Sequence, residues 1–443
     1  MARLLTTLPV ASTLMIALFV LGYMAIAFEH PIRIDKAASA LFTGMMVWVI
    51  LVFSMHGGHP PEEALMHHLF DISNILFFLL GAMTIVEVVD SHNGFSIITD
   101  RIKTRDPVKL AWIIAFVTFF LSAALDNLTT SIVMISLLRK LIHEQKTRWL
   151  FGGIIIIAAN AGGAWSPIGD VTTTMLWIKG QLPDAAGFVV NLLLPSLATI
   201  IIPLIFLTFS LRKSKLVIEP KPVSSSAHTH GEEASRKEKL RVFALGIGGL
   251  LFIPFFKQFT HLPPFMGMMF SLSVLWISTE IMHRKKPAEI RSKMTVLNIL
   301  RRIDTASILF FLGILMAVAG LQEAGHLAQL AMALDNTIGN IYGINILIGL
   351  LSAIIDNVPL VAAAQGMYPI AEVGDFAANG SFWDFLAYCA GTGGSCLIIG
   401  SAAGVAVMGL EKIDFIWYLK KISLLALVGY LGGAGVYMLM HVL

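Results

Sequence analysis

Apolar residues dominate this chain in runs whose length suits a bilayer, since about 20 apolar residues suffice to cross its hydrocarbon core. Such runs lie near 9–28, 38–55, 70–89, 187–211, 242–256, 265–282, 305–321 and 421–442, with more interrupted apolar stretches between them. The pattern predicts an all-α polytopic membrane protein. Composition agrees: 443 residues that are 56% apolar and 13% charged, with mean hydropathy +0.80, lie outside the balance of soluble chains. The first run follows a lone Arg3 and lacks a small-residue cleavage site, so it reads as a span rather than a signal peptide. Cys389 and Cys396 sit in an apolar Gly-rich stretch and read as small packing residues, not as a disulfide framework.

Charge placement orients the chain. Of its 31 Lys and Arg, all but Arg3, Lys179 and Lys257 fall in segments 29–37, 91–109, 139–149, 212–241, 284–303 and 412–421. The positive-inside rule makes these cytoplasmic, and puts the loops at 56–66, 322–340 and 369–384, which carry no Lys or Arg, on the other side. One apolar stretch, about 110–138, is then flanked at both ends by cytoplasmic charge, "RIKTRDPVK" before it and "RKLIHEQKTR" after it. A re-entrant hairpin with Asp126 and Asn127 at its tip satisfies this. Irregular backbone at membrane depth is tolerated where protein buries it or where it lines a wet cavity.

The chain also repeats itself. "DISNILFFL" (71–79) matches "DTASILFFL" (304–312) at six of nine positions, and "LSAALDNLTT" (121–130) matches "LSAIIDNVPL" (351–360) at five of ten. Gly162, Gly163, Ile168 and Gly169 fall on Gly393, Gly394, Ile399 and Gly400 at a similar offset. Counting crossings from Asp71 to Asp304 gives an odd number, so the two repeats should have inverted topology, as in many transporters. The second hairpin, about 341–368, has no basic flank and should open to the opposite side. The expected architecture is about ten spanning helices, two opposed re-entrant hairpins and two discontinuous helices, with both termini outside. Residues 1–211 hold the first repeat (broken helix about 150–178) and 242–443 the second (broken helix about 385–411). Between them, 212–241, rich in charge, Pro and Ser, is expected to be a flexible cytoplasmic linker.

The broken helices, "ANAGGAWSPIGDVTTTM" and "AGTGGSCLIIGSAAG", should unwind at their glycine pairs and at Pro167. A shared cavity would then receive Asp126, Asn127, Thr129, Thr130, Asn160, Ser166, Asp170, Thr172 and Thr173 from the first half. Ser352, Asp356, Asn357, Thr392, Ser395 and Ser401 would come from the second. Oxygen donors suit a hard alkali cation, and the set lacks the thiolates and imidazoles that select transition metals. The same residue types also cap broken helices. For Asn127, Asn357, Ser166 and Ser352 the two readings weigh equally. For Asp126 and Asp170 ion chemistry is favoured, since a neutral cap would cost less to bury, and Asp356 lies between.

Other candidates point elsewhere. His56, His59, His67 and His68 sit irregularly on an outer loop, and His228 and His230 in the linker are most simply solvated. Asp71, Glu87 and Asp90 read as interfacial, with a proton relay through Glu87 as the alternative. The two aspartates lack the motifs of intramembrane aspartyl proteases, so catalysis is not expected, and nothing suggests nucleic-acid binding.

The motifs "LSAALDNLTTSIVMISLLRKL", "ANAGGAWSPIGDVTTTMLWIKGQLP" and "LSAIIDNVPLVAAAQGMYPI" resemble the NhaD-type sodium/proton antiporters of the ion transporter superfamily, over nearly the whole chain. The resemblance implies a homodimer of inverted repeats in a bacterial inner membrane, with periplasmic termini, moving sodium or lithium outward against protons. It implies functional roles for Asp126, Asn127, Asn160, Asp170, Thr172, Thr173, Ser352 and Asn357. It extends less closely to Thr392 and Ser395, because Thr392 stands where a serine is expected. The same superfamily holds sodium-coupled dicarboxylate or sulfate symporters and arsenite permeases, the alternative reading. Their hairpin tips resemble Ser-Asn-Thr, with Thr where this chain has Asp170, and paired carboxylates would repel an anion and attract a cation. Burial and a neighbouring acid favour a proton on such a carboxylate, while a bound sodium ion displaces it. Competition of this kind, with reorientation of the neutralised carrier, would yield exchange.

Overall fold

A computed structural model describes residues 2–27, 29–54, 61–102, 104, 106–214, 235–287, 291 and 294–441. Most of the 212–241 linker, with His228 and His230, and the loop positions His56 and His59 lie outside the described residues. Among the described residues the chain is helical apart from one isolated bridge between Ala371 and Ala377. Eight described helices are long and apolar enough to cross a membrane: Lys36–Ser54, Glu62–Ser91, Pro107–Leu125, Ala185–Phe209, Arg236–Thr260, Pro264–His283, Thr305–Glu323 and Ser423–His441. The first apolar run forms the helix Ala2–Ala27.

The halves of the chain interlock through glycines. Helix Lys36–Ser54 packs on Thr305–Glu323 at Gly44 and Gly313, so closely that a methyl group on Gly44 would fall 2.3 Å from the Gly313 carbonyl oxygen. Helix Ala185–Ser214 packs on Ser423–His441 in the same manner, where a methyl group on Gly429 would lie 2.4 Å from the Thr199 carbonyl oxygen. Without a water-driven force between helices in lipid, such close backbone approach is a main source of association.

The segment expected to turn back on itself breaks at one residue. Asp106 starts helix Pro107–Leu125 by accepting from the amides of Val108 and Lys109, with Pro107 in the first turn where its missing N–H is harmless. Helix Asn127–Leu141 follows after Asp126 alone, whose φ of 116° is a region that side chains disfavour. The carboxylate of Asp126 helps hold that conformation by capping the next helix at the Thr129 amide. Toward their far ends both helices meet Gln145–Ala164: Ala115 shares a small cavity with Ile154, Ile157 and Ala158, and Ile135 lies beside Gly152. The second segment breaks more gradually, with helix Ile341–Leu351, non-helical residues 352–356, and helix Asn357–Met367 capped by Asp356.

Each broken helix unwinds where its glycines and prolines place the break. Gln145–Ala164 ends before a turn at 165–170 and resumes as Val171–Ile178. Ser381–Gly393 passes through a short 3-10 turn and resumes as Ala402–Glu411. The contacts at the two breaks correspond. Ser122 Oγ donates to the Ala159 carbonyl at 2.7 Å, and Ser352 Oγ to the Ala390 carbonyl at 2.9 Å. Gly162 lies against the Phe119 carbonyl as Gly393 lies against that of Gly349. The stretch at 322–340, expected as a loop, contains helix His326–Thr337, whose buried residues are Leu327 and Ala331.

Candidate functional site

The turn at 165–170 aims Asp170 at Asn127 and Asn357, the first residues of the helices that follow the other two breaks. Asp170 begins helix Val171–Ile178, its Oδ1 accepting from the Thr172 amide at 3.1 Å. Its Oδ2 accepts from Asn127 Nδ2 at 2.8 Å and from Asn357 Nδ2 at 3.1 Å. Asn127 Nδ2 also donates to Asn160 Oδ1 at 3.2 Å, and Asn160 Nδ2 donates to both Ser395 Oγ and Ser401 Oγ at 2.9 Å. One buried network therefore joins both broken helices to the starts of helices Asn127–Leu141 and Asn357–Met367. Ser401 occupies in the second break the capping position that Asp170 holds in the first, accepting from the Gly404 amide.

Beside this network lies a cavity of about 360 Å³. Asp126, Asn127, Thr129, Asp170 and Asp356 line it together with Glu29, Asp35, Lys36 and Asp304. Asp126 Oδ2 accepts from Thr129 Oγ1 at 2.7 Å. Three carboxylates at helix breaks, Asp126, Asp170 and Asp356, thus face one space. Such a placement is costly unless each acid holds a proton or a cation.

The remaining expected residues divide. Thr130 and Thr172 are buried beside the breaks; among the described residues the Thr130 hydroxyl has no hydrogen-bond partner, whereas that of Thr172 lies by the Asp170 carboxylate. The hydroxyls of Thr173 and Thr392 donate to backbone carbonyls of their own turns, Asp170 and Tyr388, and that of Ser352 to Ala390. Ser166 lines a different cavity, an apolar one of about 880 Å³ walled by Phe116, Phe120, Trp165 and Phe243. Pro167 and the stacking of Trp165 on Phe119, centroids 5.6 Å apart, shape the turn that carries it there. Glu87, weighed as a proton relay, is not among the lining residues of the aspartate cavity.

A polar cavity of about 810 Å³ on the other side is lined in part by Asp71, His67, His68, Lys179, Gln181 and Gln365. His68 Nε2 lies 2.8 Å from Glu323 Oε1, so this histidine is held by a hydrogen bond at the cavity wall. The Gln365 side chain donates to Gln181 at 3.0 Å. Helix Asn357–Met367 therefore reaches Asp170 at one end and this second cavity at the other. Helix Val171–Ile178 makes the same traverse, ending just before Lys179 and Gln181.

Residues 23–388 match the family model described as citrate transporter. Over 96% of this chain, "Sodium/proton antiporter 1" of Arabidopsis thaliana is 47% identical, the match covering 72% of that protein. "Sodium/proton antiporter 2" of the same plant is 44% identical over 96% of this chain and 99% of its own length. The "Na(+)/H(+) antiporter NhaD" of Vibrio cholerae is 30% identical over 96% of this chain and 91% of its own. The chain belongs to the NhaD-type sodium/proton antiporter family. That is a family of multi-pass membrane carriers and not of enzymes, and the helical architecture agrees. Within it, the acids at 126 and 170 acquire a specific setting: carboxylates at helix breaks, each capping the helix that follows.

Proposed function

We propose that this carrier exchanges sodium or lithium for protons, the two competing for Asp170 and Asp126. The observation that carries the reading is the Asp170 carboxylate, buried and linked through Asn127 and Asn357 to both hairpin tips at the end of a cavity also lined by Asp126 and Asp356. A cation that neutralises Asp170 would act on the same oxygens that hold the two tips together, coupling occupancy to the arrangement of both halves. Asn127, Asn160, Ser352, Asn357, Thr172 and Thr173 would complete the oxygen shell as the tips rearrange.

We read the two helix-break-helix segments as re-entrant hairpins of inverted repeats, within a fold of ten spans: the helices long enough to cross other than Pro107–Leu125, the first helix, and the two broken helices. The repeat-related Asp71 and Asp304 support inversion, because they line cavities on different sides of the site. The described conformation is then inward-facing, with the cavity toward Asp35 and Asp304 open and the outer path closed at the Gln181–Gln365 contact. A homodimer in a bacterial inner membrane, with termini outside, completes the proposal; plant relatives keep a eukaryotic membrane as the alternative location.

The citrate name of the family model raises the anion reading. Six carboxylates around one cavity, against Lys36, oppose it, since a polyanion there would meet like charge in a poorly screened space. Exchange in reconstituted vesicles tests the choice. Sodium should release protons from acid-loaded vesicles, citrate should not be carried, and Asp126→Asn and Asp170→Asn should each abolish exchange. Retained sodium-dependent proton release in both variants would overturn the competition mechanism.

A further inference from the structure

Seven charged side chains line the aspartate cavity, and one of them is a cation: Lys36, among Glu29, Asp35, Asp126, Asp170, Asp304 and Asp356. Its position costs free energy locally, because Lys36 opens helix Lys36–Ser54, whose first turn has no acid and whose positive dipole end disfavours an ammonium. Asp35 serves that helix through its carboxylate on the Ala37 amide at 2.7 Å. Among the described residues no carboxylate comes within 4.0 Å of the Lys36 ammonium; it rests over the Phe310 ring, 4.9 Å from the centroid. Phe310 lines the same cavity. The lysine is therefore held in the chamber by a ring and by the surrounding field, without being locked to one acid. Asp356 lines the same cavity and caps helix Asn357–Met367, which packs on the helix Thr305–Glu323 that carries Phe310 beneath the ammonium.

We propose that Lys36 is a tethered counter-cation of the ion chamber, balancing Asp356 and competing with the transported cation for the chamber's negative field. This rests on the exchange reading above and extends it to a residue outside the helix breaks. It also separates the three acids: Asp126 and Asp170 serve the ion, while Asp356 serves the lysine. The consequence is a lowered sodium affinity on the inward-facing side. A fixed charge in a weakly screened chamber acts on a second charge over several ångströms, and salt screening reduces the effect.

The test uses the full-length purified protein in proteoliposomes, with sodium KM and maximal rate measured separately. Lys36→Gln should lower the sodium KM roughly three-fold to thirty-fold, the range that such a charge allows, and Lys36→Arg should restore the wild-type value. Asp356→Asn, which leaves Lys36 unbalanced, should raise the KM, and combining it with Lys36→Gln should bring the KM back. Should Lys36→Gln fail to fold, Lys36→Met supplies the neutral variant with a similar apolar stem. An unchanged KM in the neutral variant, or loss of exchange in Asp356→Asn that neutralising Lys36 does not relieve, would overturn the role. Wild-type exchange in the same vesicles keeps the two proposals apart: its absence would remove the transport reading, whereas normal exchange with an unmoved KM removes only Lys36.

Discussion

Asn127 and Asn357, from opposite halves of the chain, donate to one oxygen of the same carboxylate, Asp170 Oδ2, at 2.8 and 3.1 Å. Hydrogen bonds to a charged group contribute about 1.5–3 kcal/mol each. Asn127→Ala and Asn357→Ala should therefore each raise the sodium KM roughly ten-fold or more. Asn127→Ala should be the worse, because Asn127 also donates to Asn160, the residue tied to Ser395 and Ser401. Sodium-dependent proton release across a sodium titration checks this, and a normal KM in both variants would dissociate the tips from the acid.

The glycines at the breaks should tolerate no side chain. A methyl group on Gly162 would stand 2.2 Å from the Phe119 carbonyl oxygen, and one on Gly393 would stand 2.0 Å from that of Gly349. Both obstacles are backbone, which cannot rotate away. Overpacking of a tight core costs about 1–3 kcal/mol, and Gly162→Ala and Gly393→Ala should reach the upper end, with a lowered melting temperature in detergent. Gly435→Ala is the control, since nothing lies within 4 Å of that added methyl. In a helix interior it should be neutral or stabilising by up to about 1 kcal/mol.

How much of this was legible in the sequence follows from contrast. Asp126 and Asp170 stand out because a carboxylate inside an apolar run is conspicuous, and the repeat brings Asn357 to the same attention. Lys36 does not stand out, because it lies in a short charged connection where a lysine is ordinary and only the fold brings it to the chamber. Hydroxyl direction was equally hidden. Thr172 and Thr173 are neighbours in sequence, yet the Thr173 hydroxyl bonds to the Asp170 carbonyl while that of Thr172 lies by the Asp170 carboxylate. Ser166 was equally a ligand or a cap by sequence, and the turn at Pro167 carries it to an apolar cavity. Side-chain orientation at a helix break depends on backbone angles that apolar periodicity does not encode.

Glu411 ties the end of the second broken helix to the first half. Its side chain is 1% exposed and meets Arg139 Nε at 2.6 Å and Arg148 Nε at 2.8 Å, with those arginines 46% and 18% exposed. The Glu411 carbonyl also accepts from Trp149 Nε1 at 3.0 Å. Breaking a buried ion pair from one side costs about 3–5 kcal/mol, whereas an exposed partner contributes about 0–1 kcal/mol. Glu411→Gln should therefore destabilise most, Arg148→Gln less and Arg139→Gln least. Melting temperatures in one detergent check the order, and equal effects of the two arginine variants would contradict it.

His92 and His283 touch through their Nε2 atoms at 2.7 Å, with their rings stacked. The Nδ1 of His92 lies 2.7 Å from the Val88 carbonyl, so that nitrogen carries the proton and its Nε2 is the acceptor. His283 then donates, and among the described residues its buried Nδ1 has no partner. His92 is neutral in this arrangement. A proton added to His92 Nε2 would place two donors face to face. Burial pushes the His92 pKa below 6.5; Lys286 nearby lowers it further, while the Val88 contact and Glu238 oppose the shift. The unfolded chain then binds more protons than the native state below about pH 6.5, so stability should rise with pH across that range and be lost on acidification. Thermal melting at several pH values between about 5 and 8 should show this slope. His92→Gln should flatten it, and an unchanged slope in that variant would assign the acid sensitivity to other groups.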